Sequence, residues 1–136
     1  MELCMPRLTI FLARLIGLFI LLLVAALLLR GGATVGATLA NAPVVFAFAI
    51  ISLAAGLAVV LGHNVWSGGA LPVVVTLVGW AMLGKGLLLL LLTPDALSRM
   101  FERMHYGAHI YLYFIPAIVL GLYLTWAGFT ARPPRG

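Results

Sequence analysis

The chain has 136 residues, 65% of them hydrophobic and only 8% charged. A soluble domain carries about 25% charged residues, so this composition excludes a water-soluble globular fold and specifies an integral membrane protein. Eight basic and three acidic side chains give a formal charge of +5, too scattered for the basic stripe that nucleic-acid binding requires, so they read as lipid-headgroup contacts and topology signals.

Cys4 is the one cysteine, which excludes an intrachain disulfide and a cysteine-built metal cluster. No apolar signal segment precedes it, which argues against a lipid anchor there. The first apolar run covers residues 8–29, and at about 1.5 Å per residue it exceeds the roughly 30 Å hydrocarbon core. Arg7 and Arg14 at its start have the look of a signal peptide, but Ala40-Asn41-Ala42 lies too far on to serve as its cleavage site and is followed by Pro43. The helix is therefore expected to remain in the mature protein. Arg14 falls about 9 Å inside the run, close enough to snorkel back to the headgroups.

Residues 31–40 read as a loop, ending in Asn41 as a helix cap with Pro43 in the first turn. The second span covers residues 44–61. Its small residues Ala54, Ala58 and Gly62 recur at every fourth position and form a ridge expected to be buried against a neighbouring helix. His63, Asn64 and Trp66 close this run, and Ser67-Gly68-Gly69 supplies the permissive backbone for a tight reversal. The third span follows at residues 70–92, with Pro72 in its first turn. Thr76, Trp80 and Gly84 share one stripe of this helix and Lys85 belongs to the next, so Trp80 and Lys85 point in different directions.

Thr93-Pro94-Asp95 starts a new helix: threonine cap, proline at the first position, acid in the first turn. Over residues 94–105 Leu97, Met100, Phe101 and Met104 gather on one arc, opposite Asp95, Ser98, Arg99, Glu102 and Arg103. Such a helix is expected to lie in the membrane interface, with partner docking as the alternative use of its apolar face, and an Asp95–Arg99 pair adds a few tenths of a kcal/mol. The last span, residues 106–128, opens with Tyr106, Tyr111 and Tyr113 and closes near Trp126, both ends carrying interface-preferring aromatics. Pro116 should kink it unless a neighbour re-satisfies the freed carbonyl. Ala117, Gly121 and Thr125 form a second ridge, the expected partner of the one on the second span. Residues 131–136 read as a disordered tail.

The expected fold is thus an all-α membrane protein: one transmembrane domain of four helices in a bundle, plus a short amphipathic interfacial helix before the last span. Four spans put both termini on one side. Arg7, Arg14, Arg132 and Arg135 on that side balance Arg30, Lys85, Arg99 and Arg103 on the other, so the positive-inside count is tied, and the tendency of the first helix to dominate favours cytoplasmic termini.

This topology sorts the polar residues into two layers. Arg14, His63, Asn64, Trp66 and Trp126 belong to the terminal side; Arg30, Lys85, His105 and His109 belong to the other. Lys85 is a cation within a span that holds no carboxylate, so it either snorkels past Gly86 or faces a bound anion, headgroup or quinone oxygen. His105 and His109 stand four apart, a spacing that presents two imidazoles to one metal, but a third ligand is missing. His63 lies at the opposite face and cannot pair with either across a haem. No intramembrane carboxylate for proton-coupled export, Cys-x-x-Cys, Gly-rich phosphate loop or nucleophile with a nearby base is present, so no catalytic or metal residue is assigned.

The motifs HNVW, TLVGW and LGKG between His63 and Gly86 resemble a group of small bacterial integral membrane proteins of unassigned function. The resemblance covers less than a third of the chain. It implies a bacterial inner-membrane location and directs attention to His63, Asn64, Trp66, Gly79, Trp80, Lys85 and Gly86. The leading expectation is a non-enzymatic membrane protein acting by contact in the bilayer, as an accessory or assembly subunit or a homo-oligomer. The alternatives are a redox anchor holding haem or quinone through His105, His109 and Lys85, and a small anion transporter or channel using Lys85.

Overall fold

The computed structural model of the chain describes residues 7–104 and 106–132. They form six α-helices and, among the described residues, no strand: α1 (Arg7–Arg30), α2 (Gly32–Leu39), α3 (Ala42–Gly62), α4 (Ala70–Leu91), α5 (Pro94–Arg103) and α6 (Tyr106–Thr130). Helices α1, α3, α4 and the Tyr111–Thr130 portion of α6 are long and apolar enough to cross a bilayer. The chain is therefore an all-α, multi-pass membrane protein, the class in which every backbone polar group is satisfied within its own helix. Cys4, His105 and residues 133–136 of the tail lie outside the described residues.

The helix starts follow the capping signals. Asn41 Oδ1 accepts the Val44 N–H at 3.3 Å, Thr93 Oγ1 accepts the Ala96 N–H at 3.3 Å, and each cap is followed by a proline within the first two positions. Residues 31–40 depart from expectation, because most of the supposed loop is α2. Gly31, at φ +80°, breaks the chain away from α1, and Thr34 and Thr38 donate their hydroxyls to the carbonyls of Arg30 and Thr34 at 3.0 and 2.8 Å. The reason lies in backbone accounting. A coil of that length beside hydrocarbon leaves amides unpaired, whereas two helical turns containing Ala33 and Ala37 pair them at little conformational cost.

The spans pack as two antiparallel pairs, α3 with α4 and α1 with α6, and the pairs touch one another far less. Glycine sets the α3/α4 seam. A Cβ on Gly56 would run into the Leu83 backbone, one on Gly79 would lie 2.5 Å from Val59 Cγ1, and one on Gly86 would lie 2.5 Å from the Leu53 nitrogen. Ala49 and Gly56 on α3, like Gly79 and Gly86 on α4, stand seven positions apart, the repeat that keeps one seam in register along two gently crossing helices.

That seam overturns the expected use of the period-four ridge. Ala54, Ala58 and Gly62 are all exposed on the outside of α3, and a Cβ on Gly62 would meet nothing within 4 Å. The ridge on α6 is packed, but against α1. A Cβ on Gly17 would fall 2.6 Å from Thr125 Oγ1, and one on Gly121 would fall 3.0 Å from Leu21 Cδ2. Gly17 removes the side chain where these two backbones meet, so α1 offers the closer approach.

One apolar cluster, Ala13, Ile16, Val59, Leu71, Val75 and Leu124, joins all four spans. It lies at the end where α1 and α4 begin and α3 and α6 finish. Toward the other end the buried cluster is Val24 with Phe114, from α1 and α6 alone. Direct packing between the pairs is thus concentrated at one membrane face, while α2 touches α3 and α6 near the other.

Two smaller expectations also change. The one non-helical residue inside α6 is His109 (φ −119°, ψ 22°), and Pro116 lies further along within the helix. In α5, Leu97 is buried while Asp95, Ser98, Arg99, Glu102 and Arg103 are exposed, as amphipathic patterning requires. Arg99 Nε, however, donates to the Asp95 backbone carbonyl at 3.2 Å, leaving the carboxylate to solvent, where an exposed ion pair gains little.

Candidate functional site

The polar groups that the fold does organise lie at the turn between α3 and α4. Helix α3 ends at Gly62, and His63 caps it with its N–H on the Val59 carbonyl at 2.6 Å. The reversal uses Gly68 at φ +91° and Gly69 at φ +117°, backbone that side chains other than glycine's rarely tolerate. Helix α4 then returns alongside α3 and brings Thr76 opposite the turn.

Thr76 is fully buried, and its hydroxyl is the hub of the turn. Oγ1 accepts the Val65 N–H at 3.1 Å and has three carbonyls in range: Val65 at 2.9 Å, Pro72 at 3.0 Å and His63 at 3.3 Å. One hydroxyl proton serves these acceptors in alternation, so a single side chain satisfies backbone that would otherwise be unpaired in an apolar layer. Sequence reading placed Thr76 only on a stripe with Trp80 and Gly84. The signal for its role was a lone hydroxyl in an apolar helix, one turn past Pro72 and beside the end of the antiparallel neighbour.

His63 is 3% exposed, and its Nε2 is buried without a hydrogen-bond partner. Burial pushes its imidazole below the ordinary histidine range, an effect the Pro72 carbonyl partly opposes. Asn64 and Trp66 face outward. The Trp66 indole N–H donates to Asn64 Oδ1 at 2.7 Å, and Trp66 remains 56% exposed, a posture suited to the headgroup region.

Arg14 belongs to the same face. Its side chain is held against the last turn of α6: Nε donates to the Gly128 carbonyl at 2.8 Å, and the guanidinium carbon lies 4.8 Å from the Phe129 ring centroid. Gly128 is two residues from the end of α6, so its carbonyl is among the last four with no intrahelical N–H. A cation there also complements the helix dipole.

The remaining candidates are not gathered into a site. Trp80 is 45% exposed on the outside of α4. Lys85 is exposed six residues before the end of α4, beside Gly84, whose Cβ position is open. His109 is exposed at the kink of α6, and His105, with which it was expected to share a face, lies outside the described residues. Among the described residues no three His, Cys, Asp or Glu side chains converge. No family model, curated protein or solved structure matches the chain.

Proposed function

We propose that this chain is a non-enzymatic membrane subunit, an accessory or assembly component or a homo-oligomer, that acts by helix–helix contact through the outer face of α3. The observation that carries the reading is the outward ridge of Ala54, Ala58 and Gly62, all exposed among the described residues. Between helices in lipid there is no water to exclude, and close approach at small residues is the principal source of association. A surface meant only for lipid has no need of it. Trp80 supports the same reading. It lies about 15 Å from either end of α4, away from both headgroup layers that tryptophan prefers, and its indole N–H has no partner among the described residues. No span buries more than 28% of its apolar window within the chain, so most of each helix is open to lipid or to another protein.

With the motif resemblance, the reading extends to a bacterial inner membrane with cytoplasmic termini. Extraction in mild detergent, followed by size-exclusion chromatography with light scattering, tests the contact. The wild-type chain should run as a defined oligomer or carry a discrete co-purifying protein, and Ala58→Leu should release it as a folded monomer. A wild-type monomer with no companion would overturn the proposal.

A further inference from the structure

A second feature of the terminal-side face is independent of the ridge. Arg7, Ile10, Phe11 and Arg14 follow one stripe of α1 at the spacing i, i+3, i+4, i+7 and line a surface groove of about 220 Å³. The two arginines stand about 10 Å apart along the helix axis, with apolar side chains between them. Phe11 is 59% exposed, so the floor of the groove is greasy while both rims are cationic.

The upper rim is fixed in place. Gly128 admits the Arg14 stem, since a Cβ there would lie 3.0 Å from Arg14 Cγ, and the Gly128 carbonyl and Phe129 ring then orient the guanidinium. The Gly128 bond uses Nε alone. The Nη groups carry four further donors with no acceptor among the described residues, and Arg7 has no hydrogen bond or ion pair there. A guanidinium set about 10 Å inside a span, pre-oriented and with its fork unfilled, is an incomplete half of a bidentate pair.

We propose that this groove binds the phosphate of an anionic phospholipid, held between Arg7 and Arg14, with an acyl chain lying against the exposed Phe11 ring. A phosphodiester supplies two acceptor oxygens for the Arg14 fork, and its single negative charge is attracted by both arginines. The exposed Phe11 ring distinguishes a lipid from a free phosphate, because an inorganic anion gains nothing from covering it. The site is a fixed place on α1, unlike the diffuse attraction of surface cations to anionic headgroups.

Native mass spectrometry of the full chain, released from neutral detergent and titrated with phosphatidylglycerol or phosphatidylcholine of matched acyl chains, tests it. The wild-type protein should retain one phosphatidylglycerol at concentrations at which phosphatidylcholine is lost. Arg14→Gln should weaken that retention about tenfold or more, the loss expected for a charge-assisted pair. Arg7→Gln, at an exposed residue with no hydrogen bond or ion pair among the described residues, should weaken it several-fold with folding unchanged, which protects the test if Arg14→Gln misfolds. Equal retention of the two lipids by wild type, or wild-type retention by folded Arg7→Gln, would overturn the proposal. Displacement of the lipid by inorganic phosphate at equimolar concentration would overturn the lipid assignment.

Discussion

Thr76 is the most heavily bonded polar side chain at the turn, its one hydroxyl meeting Val65, His63 and Pro72 between the turn at 63–69 and α4. Thr76→Val keeps the shape and removes the hydroxyl, depriving the half-buried Val65 N–H of its acceptor. It should cost about 1–3 kcal/mol, read as a lower unfolding temperature in detergent with helix content unchanged below it. At His63 the linkage has a definite sign. Its folded-state pKa is lowered, so its contribution is fully present above the unfolded value of about 6.5 and is lost as pH falls below that value toward the folded one. Unfolding temperature should therefore drop between pH 7.5 and 5.5 more steeply in wild type than in His63→Phe. Parallel curves for the two proteins would show that His63 does not titrate against folding. The turn was legible in the residues themselves, since His63, Asn64 and Trp66 followed by Ser67-Gly68-Gly69 can hardly continue an apolar helix. The hub was not, because a threonine in a membrane helix most often bonds its own preceding turn, and only the antiparallel return of α4 gives Thr76 a second set of partners.

At the scale of helices, hydrophobic length identified all four spans, and Asn41 and Thr93 marked two starts to the residue. The packing faces were harder to read. Small residues on α3 recur with period four at Ala54, Ala58 and Gly62 and with period seven at Ala49 and Gly56, and nothing in α3 alone says which set meets a neighbour within the chain. The decision is made on α4, where Gly79 and Gly86 repeat the period of seven and can lie against Ala49 and Gly56 along a shared seam. The two ridges therefore predict opposite outcomes. Gly56→Leu drives a side chain into the Leu83 backbone, which cannot step aside. It should destabilise by at least the ~1–3 kcal/mol typical of overpacking. Ala58→Leu adds volume on the open face and, compared with wild type under dissociating detergent conditions where both are monomeric, should change stability by less than about 0.5 kcal/mol. Chemical or thermal unfolding of both variants checks the pair. α2 escaped sequence reading for a different reason: its glycines and threonines have poor helix propensity in water, and their use here follows from the need to pair backbone beside lipid.

For the whole molecule, two helix pairs joined mainly at one membrane face leave broad outer surfaces, and the polar groups organised by the fold gather at that same face. The end of α6 lies beside the start of α1, fixed by the Arg14–Gly128 bond, so reporters fused to the two termini should report the same compartment; opposite compartments would refute the arrangement. Contact through α3 is the central claim, and site-specific photocrosslinking in intact membranes tests it most directly. A photoreactive phenylalanine replaces Leu61, 82% exposed beside the ridge, or Leu22, 70% exposed on α1. The account predicts one discrete protein adduct from position 61, to a second copy or a partner, that is lost when Ala58→Leu is added, and lipid adducts alone from position 22. Lipid adducts alone from position 61, or an adduct there that survives Ala58→Leu, would contradict it.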